Sequence, residues 1–487
     1  MSGLIYTPLR IEQQALSRRL SSPVHLAGRG PSTSVEGGRP ILLAGVAGGL
    51  SPDVHPGDVV VANRVRLGDR ETECPSAPLL ARALRAAGLT THVGTVETSP
   101  HVVDGPARRE LSASGALAVD TESGYVATQV PDGQLAVVRT VVDTAAHPLR
   151  HPGTVRRGVR ALQALAAAAP AIDQWAEAVM DRDVSLASPR SFCAGVERAI
   201  EIVERALELH GAPVYVRRQI VHNTHVVERL QQMGAVFVEE LDEVPRGAVA
   251  VLAAHGVAPS VRQQARERDL QVIDATCPLV AKVHHEVQRY ASRGNTIFLI
   301  GHAEHEEVVG TRGEAPDNVV IVDNPEDAAT VEAPDPDHVS YVMQTTLAVA
   351  EAEKSADVLR ARYPKLSGPR REDICYATTN RQQAVREIAA RCDLVLVVGS
   401  GNSSNSRRLV EVAQAAGATA YLVDDIGAVD LAWLAHAPTI GVTAGASAPA
   451  NLVEELLHSL SSLGGLTVTE STVTQEDVRF SLPREVS

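Results

Sequence analysis

Eight apolar runs recur through the second part of the chain: APVYVRRQIVHN, AVAVLAAHGV, QVIDATCP, TIFLIGHAEHEE, HVSYVMQTT, DLVLVVGSGNSSNS, TAYLVDDI and PTIGVTAGASAP. Each holds four or five apolar residues and then ends in polar or small ones. Continuous apolar runs bounded by turns and separated by helical segments predict parallel strands buried on both faces. In such sheets ligands bind beyond the carboxyl ends of the strands. His, Cys, Thr, Ser and Asn fall at those ends here. A single polar residue at a strand end is ordinarily a loop residue or a helix cap, but eight ends furnished this way point to a site.

The pattern changes near residue 185. Residues 155–180, VRRGVRALQALAAAAPAIDQWAEAVM, predict an Ala-rich helix, and VSLASPR then predicts a short strand and turn. Earlier, ILLAGVAGGLSPDVHPGDVVVANRV predicts a strand, a Gly-rich turn and a second strand. The fold expected is α/β: a first domain over 1–183, then 184–487 made of three similar α/β units, about 195–277, 278–371 and 372–462, with a C-terminal tail.

Composition narrows the function. The chain has 487 residues, too long for one ordinary core. A net charge of −14 argues against general nucleic-acid binding, because phosphate is repelled at long range. Five cysteines, an odd number without a small disulfide-rich pattern, favour a reducing compartment. The start MSGLIYTPLRIEQQ lacks a basic-then-apolar leader, and no apolar run reaches membrane-spanning length. The cytoplasm is the expected location, with no membrane or nucleic-acid partner. Cys74 stands outside any motif, and Cys392, in AARCDLVLVVG, is expected to act as a small buried hydrophobe.

The other three cysteines sit in loaded motifs: Cys193 in PRSFCAGVERA, Cys277 in VIDATCPLV and Cys375 in EDICYATTNRQ, 84 and 98 residues apart. Their near-equal spacing suggests that each of three units gives one thiolate to a shared centre. Three thiolates would leave one coordination position open, as a catalytic metal site needs. His222, His255, His302 and His305 follow strands and together offer donors for an anion such as diphosphate. Glu304, Glu306 and Glu307 add carboxylates near His305, one of which is placed to act as a general acid. HAEHEE lacks the HExxH spacing of a helical zinc site. Ser403, Ser404 and Asn405 in GSGNSSNSRR, and Ser447 in TAGASAP, precede predicted helices, where backbone amides and hydroxyls cradle anions. Gln344, Thr345 and Thr346 follow the strand HVSYVM.

These motifs, in this order and from Val184 to the tail QEDVRFSLPREV, resemble the LytB family of 4-hydroxy-3-methylbut-2-enyl diphosphate reductases. The resemblance implies an oxidoreductase with a [4Fe–4S] cluster held by Cys193, Cys277 and Cys375. It implies reductive removal of the hydroxyl of an allylic diphosphate, giving isopentenyl and dimethylallyl diphosphate in the last step of the non-mevalonate isoprenoid pathway. By the family pattern His222, His255, Ser403, Asn405 and Ser447 hold the diphosphate with Ser404 nearby. His305 sits by the substrate, Glu307 relays protons, and Thr345 bonds the hydroxyl region. Reduced ferredoxin or flavodoxin is the implied electron donor. The family usually has His-Pro-Glu where this chain has His305-Glu306-Glu307, which makes Glu306 a competing acid. A non-catalytic Fe–S or diphosphate-binding regulator is the alternative, and it would require losses among the cluster or proton-relay residues.

The first domain resembles the nucleoside phosphorylase/nucleosidase family through AGGL…GDVVV, Thr121-Glu122-Ser123 in place of the ribose motif Met-Glu-Ser, and Asp143 at the place of the base-protonating acid. Glu12 matches the family's N-terminal glutamate, whereas residues 15–40 are short for the usual strand and helix. Two expectations stand side by side: nucleoside cleavage, or a degenerate fused domain used for packing.

Overall fold

The computed structural model describes residues 2–487. The chain divides into two compact units: Met1–Val184 with Asp425–Ile440 and Asn451–Thr469, and Ser185–Asp424 with Gly441–Ala450 and Glu470–Ser487. Two stretches from the region past residue 184 therefore count with the first unit, where Arg82 pairs with Asp430 at 2.6 Å and Ser459 donates to the Pro75 carbonyl at 2.8 Å. No helix among the described residues is long and apolar enough to cross a membrane.

The first unit is built on an eight-stranded mixed sheet. Ile41–Gly49 pairs with Leu135–Asp143 in parallel and with Ala118–Asp120 antiparallel. Through Thr91–Thr98 and Val59–Leu67 the pairing returns to Leu135–Asp143, so five strands close on themselves. Their inner faces carry a core of Ile41, Leu43, Val60, Val96, Val137 and Val141. The glycines expected to form a turn after ILLA instead continue the strand. Bare Cα atoms are needed there: a Cβ on Gly45 would meet Arg139 Nη1 at 2.5 Å, and one on Gly48 would meet Arg108 Nη2 at 2.5 Å. The single helix expected over 155–180 is two, Thr154–Ala167 and Ala169–Ala178. Pro170 has no N–H to continue the first and takes the first turn of the second.

The second unit carries three sheets. Parallel strands Val214–Arg217, Ala235–Val238, Val249–Leu252 and Gln271–Asp274 form the first. Thr296–Ile300, Val319–Val322 and Val339–Met343, also parallel, form the second. The third is five-stranded, with Thr439–Ala444 at its centre and Leu394–Val398 parallel to Thr419–Val423. Each of the eight apolar runs contains a strand, and Val249–Leu252, Val339–Met343 and Leu394–Val398 are buried at every residue. Two further four-residue strands, Ala235–Val238 (AVFV) and Val319–Val322 (VVIV), lie outside the eight runs although they are apolar throughout. Cys392 joins an apolar cluster with Val395 and Val397, and burial pushes its thiol up.

Arg139 carries the electrostatics of the first unit. Its guanidinium is fully buried, 2.6 Å from Asp120 and 3.6 Å from Glu122, with Glu12 close enough to interact. Removing one partner of a buried ionic group leaves the others unpaired, which costs about 3–5 kcal/mol. Arg139→Met is expected to destabilise this unit by that amount in denaturant unfolding. A loss under about 1 kcal/mol would show that the carboxylates take up protons or water instead.

Candidate active site

Three helices of the second unit begin at cysteines. Cys193 precedes Ala194–His210, Cys277 precedes Pro278–Ala291 and Cys375 precedes Tyr376–Ala389. Each cysteine N–H is bonded to a carbonyl at another strand end: Cys193 to Ala446 (3.2 Å), Cys277 to Ala254 (3.0 Å) and Cys375 to Thr345 (2.9 Å). The three thiols are free and line one cavity of about 100 Å³. A Cβ on Gly195 would lie 2.8 Å from the Cys277 sulfur and 3.8 Å from that of Cys193, so the glycine leaves room for sulfur.

The same cavity is lined by His222, His255, His305, Glu307, Thr345, Ser403, Ser404, Asn405 and Ser447. His222 and His255 stack with ring centroids 4.1 Å apart, and His305 meets them edge-on at 5.6 and 5.9 Å. Both ring nitrogens of His222, Nε2 of His255, the Ser404 hydroxyl and both amide atoms of Asn405 are buried without a protein partner. Polar atoms in that state are costly unless a ligand or water satisfies them. Ser447 Oγ is anchored on the His222 carbonyl at 3.0 Å, and Ser403 caps the helix Ser404–Ala415 by accepting from Ser406 N–H.

Burial removes charge from this cavity. His222 is pushed down to about 4, His305 to about 3, and His255 well below the ordinary imidazole value. The rings are neutral at physiological pH. His305 Nδ1 accepts from Glu307 N–H at 3.2 Å, which leaves its proton on Nε2. Glu307 accepts from Thr345 N–H (2.7 Å) and Thr345 Oγ1 (3.0 Å). Burial outweighs those bonds and raises its carboxyl to about 7. Glu306, the next residue back, turns elsewhere: it lies 3.8 Å from Arg218 and does not line the cavity. His302 is bonded to Asp323 and Arg408, outside the cavity lining. Thr378, which lines the cavity and is buried, went unnoticed in the sequence because it lies in a helix rather than at a strand end.

Three thiols on one cavity could each serve a different iron of one shared centre. No group of three or more His, Cys, Asp or Glu among the described residues is placed to hold one metal ion. A cluster instead takes each thiolate on a different iron. Burial pushes Cys277 up to about 11 and Cys375 to about 12. N–H groups of Leu279 and Val280, and of Ala377 and Thr378, act against that rise from the first helical turn. Thiols in a dry site, aimed at by helix-start amides, ionise when a cationic centre arrives.

A model of the LytB protein family matches residues 184–461. The chain belongs to the LytB family. It is 58% identical over 306 residues to the 4-hydroxy-3-methylbut-2-enyl diphosphate reductase of Acidothermus cellulolyticus, covering 63% of this chain and 90% of that one. Its identity to 4-hydroxy-3-methylbut-2-enyl diphosphate reductase 1 of Mycobacterium tuberculosis is 56% over 307 residues, covering 62% and 93%. The solved E-1-hydroxy-2-methyl-but-2-enyl-4-diphosphate reductase from Plasmodium falciparum superimposes with a TM-score of 0.60 at 37% identity, over 63% of this chain and 97% of that one. A 5'-methylthioadenosine/S-adenosylhomocysteine nucleosidase from Helicobacter pylori aligns over 35% of this chain and 96% of its own at 17% identity, with a TM-score of 0.29.

The first unit has its own cavity, of about 330 Å³, lined by Glu12, Thr121, Glu122 and Asp143 together with Arg29, His101 and Arg108. Glu12 accepts from Leu9 and Val46 N–H, and burial raises it to about 7. Asp143 lies 2.5 Å from Arg108, both being buried. Ser123 faces away, bonded to Asp120 and Arg139.

Neutral imidazoles around unpartnered donors imply that an entering polyanion brings protons with it. Inorganic diphosphate titrated into the protein at neutral pH should bind with net proton uptake, read by calorimetry in buffers of different ionisation enthalpy. Affinity should fall as pH rises, because the bound state holds the extra protons. Binding without proton exchange would mean the histidines stay neutral beside the anion.

Proposed function

We propose that the second unit reduces (E)-4-hydroxy-3-methylbut-2-enyl diphosphate to isopentenyl and dimethylallyl diphosphate, using a [4Fe–4S] cluster on Cys193, Cys277 and Cys375. The observation that carries this reading is one cavity joining three free, half-buried thiols to partnerless buried polar atoms and a buried carboxyl that burial raises to about 7. Family membership and the named relatives support the same activity.

The reaction breaks the allylic C–O bond, takes up two electrons and two protons, and releases water. When bound, the cluster supplies electrons and Lewis acidity that no side chain offers. Ser403, Ser404, Asn405 and Ser447, with His222 and His255, hold the diphosphate, spending binding energy away from the reacting carbon. His305, with its proton on Nε2, donates into the cavity toward the substrate. Thr345 Oγ1 bridges Glu307 to the substrate hydroxyl. Glu307, protonated up to about pH 7, gives the proton that turns hydroxide, a poor leaving group, into water. Reduced ferredoxin or flavodoxin is the electron donor that the family resemblance implies.

In the first unit, Arg108 competes for the carboxylate that a base-protonating acid would need. Nucleoside cleavage there requires that pair to open. Release of free base from purine nucleosides, with and without phosphate, measures that second activity directly.

Anaerobically purified protein should contain iron and sulfide and should convert the allylic diphosphate with a reduced viologen dye. A loaded protein without turnover would overturn the assignment. Glu307→Gln should keep cluster and ligand but lower turnover by about 10²–10⁴-fold, the usual cost of losing a positioned acid. Glu306→Gln, on the Arg218 side, should lower it far less, and the reverse ranking would move the acid to Glu306. Because the acid form of Glu307 does the work, kcat/KM should decline as pH rises through about 7. A flat profile there would detach the rate from Glu307.

A further inference from the structure

Each helix that begins at a cysteine carries, one to two turns on, a cation that reaches the chain just before another cysteine. Arg198, on Ala194–His210, donates through Nη1 to the carbonyls of Ala275 (3.3 Å) and Thr276 (3.2 Å), immediately before Cys277. Lys282, on Pro278–Ala291, donates to the carbonyls of Arg371 and Glu372 (both 2.8 Å) and to Asp373 Oδ1 (3.0 Å), ahead of Cys375. Arg381, on Tyr376–Ala389, donates to the carbonyls of Ser191 (2.8 Å) and Phe192 (3.2 Å), immediately before Cys193. The series closes: the Cys193 helix holds the Cys277 loop, the Cys277 helix holds the Cys375 loop, and the Cys375 helix holds the Cys193 loop.

The tail locks two of the three links. Glu476 takes both its oxygens to Arg381 Nη1 at 3.1 Å, and the Ser481 carbonyl accepts from Arg198 Nε at 2.8 Å. Arg381 is fully buried, and the loop it holds contains Ser191 at a φ of 60°, a left-handed conformation unfavourable for a non-glycine residue. Such backbone persists only where its surroundings over-determine it. The carbonyls concerned lie in connecting segments and find their partners in these charged donors, whose bonds are stronger than neutral ones.

We infer that Arg198, Lys282 and Arg381 form a cyclic positioning device that sets the spacing of the three thiols. The inference rests on the cluster assignment above. No disulfide joins these loops, so breaking one link releases the thiols from a common frame rather than loosening one of them. Outer-shell partners of metal ligands typically govern metal retention by about 10–100-fold.

The test measures the rate at which a ferrous chelator strips iron, without oxygen, from the loaded full-length protein. Arg198→Gln, Lys282→Met, Arg381→Lys and Glu476→Gln are compared with wild type, alongside thermal melting of each cluster-free protein. Iron release is expected to rise about 10–100-fold in the three cation variants and less in Glu476→Gln, with melting little changed. Pairwise combinations should fall short of the product of the single effects, since a ring once opened is already loose. Lys282→Met, at a half-exposed position, decides the matter if Arg381→Lys does not fold. Release at the wild-type rate, release that rises only in step with lower melting, or effects that multiply independently would each overturn the ring. A wild-type protein that takes up no cluster sinks the ring together with the site assignment, whereas a loaded wild type with equally retentive variants sinks the ring alone.

Discussion

A helix that follows a strand starts with backbone N–H groups that have no partner inside the helix. The second unit is arranged around that constraint. Cys193, Cys277, His305 and Ser403 each stand at such a start, Cys375 opens a helix that follows another helix, and Asn223 caps the helix directly after His222. Parallel pairing sends successive strands out of their sheets at the same end, so these helix starts gather there. Residues that need an anion or a thiolate beside them are thereby given aligned N–H dipoles without any dedicated cation.

Low dielectric sets the protonation of what is gathered. Burial is the largest cause that lowers the histidines, raises the Glu307 carboxyl and makes the thiols of Cys277 and Cys375 hard to ionise. The cavity thus holds little charge of its own and many unsatisfied dipoles. It is complementary to a pair of opposite charges arriving together, a cationic centre at sulfur and an anion at the imidazoles and hydroxyls.

The first unit solves a different problem. It buries Arg139 among Asp120, Glu122 and Glu12, and Arg108 against Asp143. Glycine at 45 and 48 makes room for those guanidinium groups inside a strand. The sequence shows the glycines and suggests a turn. Only the packing shows that they are cut-outs for two arginines whose partners lie far along the chain.

The apolar runs determined the eight strands, because a run of that length flanked by turns has few other stable uses. The resemblance of the motifs likewise marked the residues of the main cavity, since chemistry fixes which side chains a thiolate- and anion-binding site requires. What tertiary structure decided was everything that depends on direction and burial. Glu306 and Glu307 are adjacent and chemically alike, yet one meets Arg218 and the other meets Thr345, because the first turn of a helix points successive side chains apart. Nothing in the sequence singles out Arg198, Lys282 and Arg381, and their closed circuit exists only once their helices are placed around one cavity. A local pattern encodes an element's type and its polar tip. It carries no record of which distant carbonyl a long side chain will reach, because that is fixed by packing between segments with no sequence relation to one another.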